Sequence, residues 1–294
     1  MAAAKSEKHG GSCDMEQTGV REDAKMPVKR SRLRLKLGTM YYGARRWCLW
    51  LKMRGTFARE RLREPLEYTY FTHRTPMLRR LRNVDMWMQH NKVTNLRLAV
   101  KKLNGIVIHP GETFSYWYLI GMPTRLKGYK KGMILRNGHF EAGIGGGMCQ
   151  LSNLIFWMAI HTPLTVTERH RHSYDVFPDS NRTQPFASGA TCSYPHVDLM
   201  IRNDTDDDYQ ILLNVGDEYL EGEIRSSAEP QYRFEVTERG HEMRHEFWGG
   251  YTRRNEIWRQ VYDRDGNLVD DSLLIKNCAI MMYTPYLSGA KETD

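Results

Sequence analysis

The run Gly143-Ile144-Gly145-Gly146-Gly147-Met148-Cys149-Gln150-Leu151-Ser152-Asn153 is the stretch of this 294-residue sequence best suited to chemistry. Consecutive glycines permit backbone conformations and close approaches that a Cβ would block. They lead into an apolar stretch, so Cys149 and Gln150 are expected in the first turn of a helix. Unpaired amides and the positive end of the helix dipole favour a thiolate there. The loop of Gly145, Gly146 and Gly147 with Gln150 would also stabilise an oxyanion on an attacked carbonyl, the Gln150 side chain adding a donor.

A thiolate nucleophile needs a base, most often histidine. Glu168-Arg169-His170-Arg171-His172 lies about twenty residues downstream on an expected strand. Alternation on a strand would put Glu168, His170 and His172 on one face and Arg169 and Arg171 on the other. A cysteine, a histidine and an orienting carboxylate form the arrangement that acyl transfer requires. The spacing leaves open which histidine faces the sulfur. Zinc competes for the same region, since Cys149, His170, His172, Cys192 and His196 offer thiolate and imidazole. Only Cys192-x-x-x-His196 is tightly spaced, and no Cys-x-x-Cys pair accompanies it. A plainer reading needs no chemistry at all: a glycine turn, an inert buried cysteine and surface histidines. No metal and no cofactor are assigned.

The elements that would position these residues follow from apolar period and turn chemistry. Met86 to Leu103 has helix-like spacing and is closed by Asn104-Gly105. Ile106 to Ile108 reads as a strand, Pro110-Gly111 as a tight turn, and the aromatic-rich Thr113 to Ile120 as extended. Gln150 to His161 is apolar around most of its circumference and belongs in a core. Val166 to Val176 reads as a strand. Beyond Val197 the pattern is repeatedly strand-like, over 197–202, 209–215, 219–224, 232–236, 256–262 and 272–283, with turns at Asn203-Asp204, Gly216-Asp217 and Asp265-Gly266. The predicted class is α+β: a buried helix after a glycine-rich loop, packed with a mainly antiparallel sheet, and a strand-rich C-terminal half.

Composition bounds the rest. Charged residues make up 27% of the chain and hydrophobic ones 40%, a polar but globular balance. The formal net charge of +8 is not evenly spread. Residues 1–80 carry 19 Lys and Arg against 8 Asp and Glu, leaving 24 against 27 for the remainder. Residues 29–53 mix that charge with Leu33, Leu35, Leu37, Tyr41, Tyr42, Trp47 and Trp50. Such a segment suits an amphipathic helix on an anionic membrane surface, or a helix docked on the domain with its charges in solvent. No nucleic-acid motif accompanies it, and no nucleic-acid partner is expected. Five cysteines at wide spacings argue against a disulfide framework. No run of eighteen apolar residues and no export signal is evident, so the expected place is the cytoplasm, with peripheral contact on the inner membrane face. The expected organisation is a disordered leader over 1–28, a basic aromatic segment over 29–83 of helical character, a core domain over 84–215, a β-rich extension over 216–285 and a tail over 286–294.

The same segments resemble the VanW family. The matching text runs from Gln89-His90-Asn91-Lys92-Val93 through Pro110-Gly111-Glu112-Thr113-Phe114-Ser115 and the Gly145 to Asn153 block. It continues through Thr162-Pro163-Leu164, Glu168 to His172, Asp198-Leu199 and Arg202-Asn203-Asp204-Thr205. The resemblance implies a role in the bacterial cell envelope and in glycopeptide resistance. It implies either a cysteine-dependent L,D-transpeptidase-like enzyme acting on a cell-wall peptide or precursor, or a non-catalytic accessory. Carried onto this sequence, the enzyme reading makes Cys149 the nucleophile, His172 or His170 the base and Glu168 its orienting group. Glu112, Ser115, Ser152 and Asn153, polar members of the matching blocks, would bind substrate. The chain departs from the pattern at Gly189, where Ala187-Ser188-Gly189-Ala190-Thr191 lacks an expected aspartate.

Overall fold

The computed structural model describes residues 31–78, 85–136, 139–176 and 184–283. The leader over 1–28, the tail over 286–294 and the expected domain start at residue 84 lie outside the described residues.

The class is α+β, as the patterning predicts. Helix α1 (Arg32–Lys52) precedes strand β1 (Tyr68–Pro76) and helix α2 (Met86–Leu103). Asn104 caps α2 and Gly105 follows at φ 82°, the helix stop expected from that dipeptide. Strands β2 (Ile106–Ile108) and β3 (Thr113–Ser115) flank the Pro110-Gly111 turn, closed by the Glu112 amide on the His109 carbonyl at 2.9 Å. A short helix α3 (Tyr116–Ile120) and the hairpin β4 (Lys131–Arg136) and β5 (His139–Ile144) come next. Helix α4 (Cys149–Ala159) is followed by β6 (Thr165–Glu168), β7 (Tyr174–Asp175) and β8 (Met200–Arg202). The remainder is β9 (Tyr209–Val215), β10 (Tyr219–Ser226), β11 (Arg233–His245), β12 (Tyr251–Tyr262) and β13 (Leu268–Met281).

Antiparallel pairing dominates: β1-β10-β9-β2 form one sheet, β3-β8-β6 another, and β11-β12-β13 a long meander to which β7 adds in parallel. The first sheet draws strands from all three expected segments, 29–83, 84–215 and 216–285, so none of them is a separate layer. Among the described residues of the segment 29–83, the helix is α1. Alternating aromatic and β-branched residues from Tyr68 to Thr72 make β1 a strand instead. The buried alternate residues of β10, Leu220, Gly222, Ile224 and Ser226, form a face. Met158 and Leu154 of α4 pack onto it at Gly222. That packing makes α4 the centre of the core, with Leu151 and Leu154 to Ala159 all buried.

Two expectations need correction. Thr113 to Ile120 is not extended throughout. The Ser115 hydroxyl accepts from the Tyr118 amide and the Asp198 carboxylate from the Trp117 amide, and these bonds turn Tyr116–Ile120 into a helix. Val166 to Val176 is not one strand either. The β6 ladder ends at Glu168, and residues 169–173 lie outside any strand. There Arg169 reaches the Gly189 and Ala187 carbonyls and Arg171 the Cys278 carbonyl. These side-chain bonds hold the segment in place of a ladder.

Candidate functional site

The glycine turn is positioned from two sides. A Cβ at Gly146 would stand 2.1 Å from the Gly132 backbone of β4, and one at Gly147 would stand 2.2 Å from Lys92 Cγ of α2. Asn95 of α2 secures the contact, donating to the Gly146 carbonyl at 2.9 Å and to the Lys130 carbonyl at 3.0 Å. The glycines thus admit a close three-way packing that delivers Cys149 to the head of α4, as expected. Tyr116 adds a buried bond to the Met148 carbonyl at 3.0 Å.

The electrostatics of Cys149 differ from the expectation. Its sulfur donates to the Cys192 carbonyl at 3.6 Å. Burial pushes the thiol above its ordinary range, against the opposite pull of its contacts with the Cys192 backbone and its own. Desolvation disfavours the charged thiolate. No histidine nitrogen hydrogen-bonds this sulfur among the described residues. The amide donors are also partly committed: Gly147 bonds the Met133 carbonyl at 2.9 Å and Gln150 the Gly147 carbonyl at 3.2 Å. Gly145 and Gly146 donate to Lys130 and Gly143. The Gln150 side chain faces away, bonding Thr75 and Pro76 at 2.9 Å. Among the described residues, the Met148 and Cys149 amides donate to no backbone carbonyl.

Glu168 and His170 do meet: Oε1 and Nε2 are 2.8 Å apart. His172 does not join them, because the strand that would have aligned it ends at Glu168. Burial pushes the His172 imidazole below its ordinary range, with Arg171 adding to the effect. Glu168 is gripped from behind by Arg46 of α1, whose guanidinium makes bonds of 2.8 and 2.5 Å to the two carboxylate oxygens. Burial alone would push the Glu168 carboxyl up, but His170 and Arg46 outweigh it and hold it at about 2. Arg46 also donates to the His196 carbonyl at 3.0 Å.

The remaining expected binders are turned inward. Ser115 is buried and donates to Asp198 at 2.6 Å. Ser152 donates to the Ala190 carbonyl at 2.7 Å, and Asn153 accepts from the Ala190 amide at 2.7 Å. Glu112 closes its own turn on the His109 amide at 3.1 Å. Ser115, Ser152 and Asn153 build the walls of the site, while Glu112 serves its own turn. Asp198 joins them there: it takes the Trp117 and Leu199 amides at 2.9 Å, and burial pushes its carboxyl up to about 7. Its position inside the matching text marked it, but no spacing tied it to Ser115, 83 residues away. Arg46, 122 residues from Glu168, had no signal separating it from its neighbouring arginines.

The segment 190–192 ties these groups together. Its Thr191 amide bonds the His170 carbonyl at 2.8 Å, Ala190 bonds Ser152 and Asn153 of α4, and Cys192 takes the Cys149 thiol. A Cβ at Gly189 would stand 2.6 Å from Asn153 Oδ1, so an aspartate there would displace Asn153. Among the described residues no group of three His, Cys, Asp or Glu side chains is gathered for a metal, which leaves the zinc alternative without a ligand set. Cys48, Cys149 and Cys192 are free thiols, and Cys13 lies outside the described residues.

Comparison with known proteins gives a consistent picture. A family model described as "VanW like protein" matches residues 91–225. The chain is 38% identical over 211 residues to the vancomycin B-type resistance protein VanW of Enterococcus faecalis, covering 71% of this chain and 77% of that protein. It is also 38% identical over 82 residues to the uncharacterized protein YoaR of Bacillus subtilis, covering 28% of this chain and 27% of that one. No solved structure matches.

Proposed function

This chain belongs to the VanW family, and on that premise we propose that it serves glycopeptide resistance by cysteine-dependent acyl transfer on a cell-wall peptide or its precursor. The observation that carries the reading is the shared 190–192 segment, which holds the Cys149 thiol at one residue and the backbone of the Glu168-bound His170 at its neighbour. A neutral thiol, as burial makes it, is the resting form of a nucleophile whose base acts only once substrate is bound. Cys149 Sγ would attack an amide carbonyl while its proton passes to His170. The Met148 and Cys149 amides would hold the oxyanion. The C–N bond then breaks, His170 returns the proton to the leaving amine, and a second amine takes the acyl group from the thioester, restoring the thiol. The Glu168 bond supports His170 over His172 as the base.

The test is mass spectrometry of the full chain incubated with synthetic peptidoglycan stem peptides. An acyl adduct on Cys149, absent in Cys149→Ala and slowed at least a hundredfold in His170→Ala but not in His172→Ala, is the expected result.

A second reading, a non-catalytic accessory of the resistance system, is favoured by one observation: the thiol is already bonded to the Cys192 carbonyl, and no histidine nitrogen hydrogen-bonds it among the described residues. Under it no adduct forms with any stem peptide, and Cys149→Ala keeps the resistance that the intact protein confers.

A further inference from the structure

Helix α1 is pinned to the domain along one face and bare along another. Gly43, Arg46 and Trp50 form the buried face: Gly43 sits over Pro195, Arg46 enters the Glu168 pair, and Trp50 packs beside Tyr118 and Tyr194. Roughly 100° around the helix, Leu33, Leu37, Met40, Ala44, Trp47 and Leu51 recur at spacings of four and three, and every one is exposed. Leu33 and Leu51, at the two ends, are 67% and 69% exposed. The stripe is about 27 Å long at the ordinary helical rise. Arg34, Arg45 and Lys52 border it on one side and Lys36 on the other, all exposed, and α1 contains no acidic residue.

We propose that this stripe is a lipid-docking surface, and that α1 lies along an anionic membrane surface with its six apolar residues in the headgroup region and its flanking cations on the lipid phosphates. Charge decides between lipid and a second copy. The four-and-three spacing would also suit helix pairing, but two copies of α1 would set cation against cation along the seam with no acid to relieve it. An anionic surface complements those same cations. Trp47 and Tyr41, 52% and 64% exposed, are the residue types that settle at a membrane–water boundary. Lying flat is also the geometry available, since no described helix is long and apolar enough to cross a membrane. Because Arg46 and the stripe belong to one helix, docking would fix the orientation of the Glu168–His170 pair relative to the lipid surface. The proposal stands whether or not Cys149 is a nucleophile.

The experiment is sedimentation of the full chain with vesicles of phosphatidylcholine alone or mixed with phosphatidylglycerol, at low and high salt. Binding to the anionic vesicles at least tenfold tighter than to the neutral ones is expected, and it should weaken with salt. The double variant Leu37→Glu/Met40→Glu should lose at least tenfold of that binding, and Arg34→Glu/Arg45→Glu likewise. All four positions are exposed, so unchanged circular dichroism is the control for folding. Binding to neither vesicle, or binding indifferent to both double variants, overturns the proposal. So does a dimer on size exclusion that Leu37→Glu/Met40→Glu converts to monomer, because the stripe would then be covered by a second copy.

Discussion

At the scale of single residues, the candidate site is governed by what surrounds each group more than by its type. Cys149 stands at a helix head, where a lowered pKa is the usual expectation, yet desolvation wins and the thiol is pushed up. An alkylating probe such as iodoacetamide at neutral pH is therefore expected to label Cys149 more slowly than free cysteine, and more slowly than the exposed Cys48. Faster labelling of Cys149 would mean the helix head dominates after all. Position 189 shows the same dependence on surroundings. The resemblance creates an expectation of aspartate there, and a Cβ at Gly189 would stand 2.6 Å from the neighbouring Asn153 oxygen. Gly189→Ala should cost about 1–3 kcal/mol by overpacking, measured by urea unfolding. Pairing it with Asn153→Ala should cost less than the sum of the two single changes, since the clash is then removed. Strict additivity would show that the two positions do not press on each other.

At the scale of elements, α1 is the part whose role sequence alone left open. Its apolar and basic composition was plain, and so was the choice between docking on the domain and lying on a membrane. What could not be read was that its C-terminal half docks through one arginine among several. Arg46 is 7% exposed and Arg45, beside it, is exposed. Removing a partner from a buried ion pair leaves the other charge unpaired in low dielectric. Arg46→Ala should therefore cost about 3–5 kcal/mol, while Arg45→Ala stays within about 0.5 kcal/mol. Hydrogen exchange across α1 should speed up only in the first variant. Equal effects from the two would place the anchor elsewhere, on Trp50 for instance. The strand that ends early at Glu168 makes the complementary point. Apolar alternation marked β6, but its length was set by side-chain bonds from Arg169 and Arg171 to carbonyls 18 to 107 residues away. No local pattern encodes such partners, so the histidine pairing could not be chosen before the fold was seen.

At the scale of the whole molecule, class and core were legible because they rest on local periodicity: α2 between Met86 and Leu103, the apolar α4 and the C-terminal strands all follow from spacing. The buried polar groups were not legible as a set, and together they shape how stability responds to pH. Burial, opposed by a bond to the Trp157 carbonyl, lowers His161 from 6.5 to about 4. It contributes stability above pH 6.5 that is lost as pH falls through about 4. Glu168, held at about 2 against an ordinary 4.5, contributes stability that is lost only as pH falls below 4.5 toward 2. Asp198 has the opposite sign. Raised by burial from 3.8 to about 7, it contributes stability that is fully present below 3.8 and lost as pH rises through about 7. Between pH 7 and 4 the losses at His161 and the gains at Asp198 oppose each other. Asp198→Asn removes only the gain. Its stability should fall by on the order of 3 kcal/mol between pH 7 and 4 relative to the unaltered chain, read from urea midpoints at several pH values. Both proteins should then lose stability together below about pH 4.5 as Glu168 takes up its proton and releases Arg46. Parallel profiles from pH 7 to 4 would show that Asp198 is ionised throughout. The carboxylate that accepts from Ser115, Trp117 and Leu199 would then be a charged post in the wall of the site instead of a neutral one.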